Sequence, residues 1–80
     1  MQTEPNAELS HLSPQMMRTL GALASGKTRK QIALEMGISV HTVKIYLWKV
    51  YQRLNAQNAP EAVAQALKKG LITRDDLIHD

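Results

Sequence analysis

Apolar residues recur at helical spacing in four stretches of the chain, and each stretch follows a side chain suited to capping a helix. After Leu12, Ser13 reads as an N-cap and Pro14 as the first helical position, with Met17, Leu20, Leu23 and Ala24 as the inward row up to Gly26. Thr28, with Gln31 three residues on, forms a capping box for a second helix; its apolar side is Ile32, Ala33 and Met36, and Gly37 ends it. Ser39 opens a third helix over residues 40–54, in which Val43, Leu47, Val50 and Leu54 form a core stripe. Asn58, Pro60 and Glu61 open a fourth helix over residues 59–70, running through Ala62, Val63, Ala66 and Leu67, after which Leu71 and Ile72 close the core. Thr73 and Asp76 are spaced to nucleate one more turn, which would bring Leu77 and Ile78 near the domain or a partner. Residues 1–11 have no such period and read as a flexible tail. The expected fold is all-α, a four-helix domain over residues 12–72, followed by a short acidic tail over 73–80 that holds the extra turn.

Composition narrows the function classes. Eighty residues leave room for one modest core and no separate ligand-sensing domain. The absence of cysteine removes disulfides, thiolate metal sites and thiol catalysis together. No run approaches the roughly 20 apolar residues of a membrane span, and residues 1–12 lack the start of a secretory signal. A cytoplasmic, nucleoid-associated protein with no membrane contact is therefore the expectation. The net charge of +3 is mild, but its placement is uneven. Between Gly26 and Pro60 stand Lys27, Arg29, Lys30, Lys44, Lys49 and Arg53 against a single acid, Glu35, and none lies between Gly37 and Pro60. Such a surface suits an approach to phosphates, and equally an ordinary solvated basic face.

Two helices joined by the brief Gly37–Ile38 link, the second exposing His41, Lys44, Ile45, Trp48, Lys49 and Gln52, have the plan of a helix-turn-helix. The chain here resembles the LuxR/FixJ-type (GerE-like) DNA-binding domain. The strings that carry the likeness are LSP at 12–14, ASGKTRKQIALEMGIS at 24–39, HTVK at 41–44, RL at 53–54 and GLI at 70–72. None is specific alone; their order and spacing from Leu12 to Ile72 make the case.

The resemblance implies a sequence-specific transcription regulator that reads the major groove of double-stranded DNA with residues 40–54, as a dimer formed through helix 59–70. It assigns base reading to Lys44, Ile45 and Trp48: lysine can donate to guanine O6 and N7, and Ile45 can meet a thymine methyl. Phosphate contacts fall to Thr28, Lys30, Ser39, His41, Thr42, Lys49 and Arg53, helped by exposed amides at two helix N-termini. Capping alone also accounts for Thr28 and Ser39. RNA polymerase is a further partner for a regulator of this kind. Three positions depart from the family pattern. Met16 replaces an acid that would close a capping box, at a cost of part of about 1 kcal/mol; Tyr46 replaces a histidine; and Trp48 stands where a polar or basic residue is usual.

An enzyme has no support in this sequence. No Ser-His-Asp order or paired carboxylate suggests itself, and His11, His41 and His79 lack acidic or cysteine companions at metal-ligand spacing, so neither metal nor cofactor is expected. Lys68 and Lys69 favour the dipole of the fourth helix. One rival function remains: a small interaction protein that pairs with a full-length LuxR-type regulator and modulates or blocks its DNA binding, motivated by Trp48, Met16 and the acids Asp75, Asp76 and Asp80. A C-terminal piece of a longer response regulator fits the sequence equally well.

Overall fold

The computed structural model describes residues 12–77. Among them five helices follow one another, with no strand: α1 (Pro14–Ala24), α2 (Arg29–Met36), α3 (Val40–Leu54), α4 (Ala59–Lys68) and a single turn, α5 (Arg74–Leu77). The fold is all-α, and no described helix is long and apolar enough to cross a membrane.

Each start is set by its cap. Ser13, Thr28, Ser39 and Asn58 all hold extended backbone and accept the amide of the residue three positions on: Met16, Gln31, Thr42 and Glu61. At Thr28 the box is complete, because Gln31 Oε1 accepts the Thr28 amide at 2.8 Å. At α1 the forward bond survives at 3.1 Å, but residue 16 returns nothing, since the Met16 side chain is buried in the core.

Each end is set by one residue with positive φ. Gly26, Gly37, Asn55 and Gly70 are the described residues of that kind, and each directly follows the closing turn of α1, α2, α3 or α4. At Gly37 the amide of Ile38 reaches the carbonyl of Ala33 at 3.0 Å and Gly37 reaches Leu34 at 3.3 Å, the paired bonds of a Schellman motif. The residue after the positive φ is Ile38, Ala56 or Leu71 in three of the four cases, and all three pack against the core. The stops of α2, α3 and α4 are thus also anchors for the connections that follow them.

The core has two parts that share α3 as a spine. Leu12, Met16 and Leu20 meet Val50 and Leu54 from the C-terminal half of α3, Ala62 and Ala66 from α4, and Ile72. Ile32 and Ala33 of α2 meet Val43 and Leu47 from the N-terminal half. Tyr51 packs against both groups and joins them. The expected α3 stripe is therefore wholly buried, and Ile72 closes the core with Leu71 beside it.

The inward row of α1 differs from expectation by one position. Met16, Thr19 and Leu20 are buried, whereas Met17, Leu23 and Ala24 are half-buried. Residues 16, 19, 20 and 23 share one helix face, and Met17 and Ala24 lie at its edge. A polar residue in that row, Thr19, hid the true register; its hydroxyl is satisfied by donating to the Gln15 carbonyl at 2.8 Å.

The predicted extra turn forms as α5, with Asp76 accepting from the Thr73 amide at 2.7 Å; Leu77 stays exposed. The expectations for residues 1–11, Ile78, His79 and Asp80 lie outside the described residues.

Candidate nucleic-acid interface

Helix α3 covers 15 residues, about 22 Å at 1.5 Å per residue. Its buried residues occupy one side, so everything opposite them faces outward. His41, Lys44, Ile45, Trp48, Lys49, Gln52 and Arg53 are all exposed, Ile45 by 39% and Trp48 by 60%. The predicted base-reading trio thus lies on one open surface together with three of the predicted phosphate contacts.

The start of this helix is built tightly. Ser39 Oγ accepts the Thr42 amide at 3.0 Å and lies 3.0 Å from Thr42 Oγ1, so the two hydroxyls form a pair at the helix mouth. One of the two hydroxyl hydrogens is used between them, which leaves the other for an incoming acceptor. Val40 and His41 stand exposed beside them, and Thr42 is half-buried. No acidic side chain interrupts the surface from Gly37 to Pro60.

Helix α2 supports α3 from behind through Ile32 and Ala33 and contributes its own N-terminal end, where Thr28 and Lys30 are exposed. The Thr28 hydroxyl oxygen already accepts the Gln31 amide at 3.1 Å, which leaves its hydrogen to donate outward. Thr28 and Lys30 belong to the start of α2 and are not members of the exposed face of α3. Tyr46, the predicted packed ring, is half-buried on α3.

Four features escaped the sequence reading. Lys27 Nζ contacts both carboxylate oxygens of Glu35, at 2.9 and 2.7 Å, the one ion pair among the described residues. The single acid of the basic region is thereby spent on a lysine, and Arg29, Lys30, Lys44, Lys49 and Arg53 keep their charge for other partners. Leu34 is 78% exposed on the outside of α2. Finally, Glu61 accepts the Gln57 amide at 2.6 Å, one residue earlier than a capping box would place it. The Lys27–Glu35 spacing of eight residues crosses a helix boundary and gives no periodic signal; the positive φ at Asn55 did have one, an asparagine directly after an apolar helix.

Among the described residues no group of histidines and carboxylates is arranged to hold a metal ion. What α2 and α3 present is a short turn and a basic, partly apolar helix face.

The sequence profile of the bacterial regulatory proteins of the luxR family matches residues 10–66. The chain belongs to that family. Its luxR-type domain is similar to the transcriptional regulatory protein YdfI of Bacillus subtilis, 37% identical over 67 residues that make up 84% of this chain and 32% of the relative. It is similar also to the transcriptional regulatory protein FixJ of Azorhizobium caulinodans, 34% identical over 92% of this chain and 35% of the relative. The chain spans about a third of the length of these curated relatives. In three dimensions it resembles a solved structure of the Vibrio cholerae VqmA dimer, a LuxR-type receptor determined in the absence of target DNA. That likeness has a TM-score of 0.75 and 25% identity, and covers 96% of this chain and 42% of the other. The helix-turn-helix of the luxR-type domain is thus α2, the Gly37–Ile38 link and α3, and the family is one of regulators.

Proposed function

We propose that this chain is a sequence-specific DNA-binding module of a transcription regulator that inserts α3 into the major groove. The observation that carries the reading is the outward face of α3, bordered by cations and free of acids, on a helix whose diameter of about 10–12 Å matches a groove about 12 Å wide. In this reading Lys44, Ile45 and Trp48 meet base edges. Thr28, Lys30, Ser39, His41, Thr42, Lys49 and Arg53 meet phosphates. The domain proper is residues 12–72, a boundary favoured by the burial of Ile72.

One recognition helix spans too few base pairs to be selective alone, so the functional unit is a dimer. The proposed contact is helix α4, whose Val63 and Leu67 are only half-buried and keep apolar surface to offer. VqmA is described as a dimer, in keeping with this. The setting is cytoplasmic, on the nucleoid.

Salt dependence tests the phosphate part. Titrating a random-sequence duplex between 50 and 200 mM salt should give a log–log slope of about −3 per chain, for about three phosphates held by Lys30, Lys49 and Arg53. A slope near zero would remove DNA as the partner.

A second reading draws on one observation, the 60% exposure of Trp48. A tryptophan of this kind is a typical anchor of a protein interface, and the chain would then pair with a full-length luxR-type regulator and block or tune its DNA binding. Under that reading Trp48→Ala abolishes capture of the regulator while the melting temperature stays constant; unchanged capture removes it.

A further inference from the structure

Successive residues of a helix are turned by about 100°. With the buried stripe Val43, Leu47, Val50 and Leu54 at the back of α3, the residues at the front are His41, Ile45, Trp48 and Gln52, a single row spaced by four, three and four residues. Lys44 lies along one edge of that row. Thr42, Lys49 and Arg53 lie along the other, at i, i+7 and i+11. The cations therefore border the front of the helix, and its centre is occupied by two apolar side chains in succession, Ile45 and Trp48, which are 39% and 60% exposed.

This arrangement limits what can sit opposite the centre. On the major-groove edges adenine, guanine and cytosine are read through donors and acceptors, and the C5-methyl group of thymine is the one apolar group that projects into the groove. An apolar side chain pressed against N7, O6, N4 or N6 strips water from a polar atom and returns no hydrogen bond. Ile45 has no polar atom to return, and the indole of Trp48 has a single N–H. Against a methyl, both lose only apolar hydration. Three residues of helix advance about 4.5 Å, against 3.4 Å per base along a strand, so two such contacts fall on neighbouring base pairs.

We propose that the domain reads its half-site through thymine methyl groups on adjacent base pairs, with Ile45 and Trp48 as the methyl-reading pair beside the base-reading Lys44, and with Lys49 and Arg53 holding the helix in register. The inference rests on the DNA-binding reading above. It makes Trp48 a determinant of which DNA is bound, beyond a contributor to affinity.

The test uses the intact chain and a duplex carrying the motif selected from a random pool. Each thymine of the half-site is replaced in turn by deoxyuridine, which deletes the methyl and leaves every hydrogen-bonding atom in place. Binding is followed by anisotropy of a labelled duplex and by the emission of Trp48, the only tryptophan in the chain. The expected result is a loss of about fourfold at each of two adjacent positions and about fifteenfold for both. The first loss should vanish in Ile45→Gln and the second in Trp48→Gln, variants at exposed positions whose melting temperatures report that the fold is kept. A selected motif whose affinity is indifferent to every deoxyuridine overturns the methyl-reading proposal and leaves DNA binding standing. Losses that persist unchanged in both glutamine variants likewise overturn it, since other side chains would then read the methyls. If no motif is selected, the proposed function and this inference fall together.

Discussion

The hydroxyl of Thr19, fully buried in α1, lies 3.4 Å from the sulfur of Met36 at the end of α2 while donating its hydrogen to the Gln15 carbonyl at 2.8 Å. A hydroxyl has one hydrogen, and the shorter contact with the better acceptor takes it. The sulfur contact is then mainly packing. Thr19→Val keeps the branched shape and leaves the Gln15 carbonyl with its ordinary helical partner, so it should change stability by less than about 1 kcal/mol. Thr19→Ala removes volume at the junction of α1 and α2 and should cost about 1–2 kcal/mol. Urea unfolding of the two variants decides; valine no better than alanine would mean the hydroxyl bond dominates.

The turn between α2 and α3 depends on Gly37, which holds φ at 68° with nothing within 4 Å of where a Cβ would stand. The penalty of Gly37→Ala is therefore conformational rather than steric, about 1–2 kcal/mol. Asn55 has φ of 54° at the equivalent place after α3. There the sign reverses for the opposite change: Asn55→Gly relieves strain and should be neutral or slightly stabilising, whereas Asn55→Ala should destabilise. Thermal melts resolve this, since 1 kcal/mol is about 4–8 °C in a domain of this size.

Lys27 and Glu35 are partly exposed, with side-chain exposures of 24% and 50%, so their pair contributes well under the value of a buried one. Glu35→Gln should cost no more than about 1 kcal/mol, and the loss should shrink as salt rises. The same variant releases a lysine near the DNA-facing motif. It should tighten binding to random duplex by a few-fold and steepen the salt slope. Unaltered non-specific binding would show that Lys27 stands too far from the phosphates to matter.

Lys44 and Lys49 carry the same charge and differ in role. Lys44→Ala should lose about 1–3 kcal/mol on the preferred site and relax the base preference beneath it, and Lys49→Ala should weaken all sequences alike. Equal losses on preferred and random duplexes for both variants would count against Lys44 as a reader.

Much of the fold is legible in the sequence because its signals are local. Ser13, Thr28, Ser39 and Asn58 announce helix starts within three residues, and Gly26 and Gly37 announce the ends of α1 and α2; the expected helix 59–70 stops at Lys68, because Lys69 and the positive φ of Gly70 already form its closing turn. The α3 stripe is legible because all four members are apolar. The register of α1 was not, because Thr19 is buried by neighbours far away in sequence and its polarity is hidden by a bond inside its own helix. The Lys27–Glu35 pair depends on how α2 turns back on the end of α1, which no periodicity records. For the interface, the exposed set on α3 is the complement of the stripe and so was predictable. Its division into an apolar centre with bordering cations follows from the same helical period once the buried side is known.

The measurement that bears most directly on the central claim is selection of a randomised duplex pool by the purified chain at two salt concentrations, with sequencing of the retained DNA. A reader of this design enriches a palindrome with half-sites about one helical turn apart, and the enrichment persists at the higher salt. Retention that is weak, steeply salt-dependent and without any motif would contradict it, leaving phosphate attraction alone.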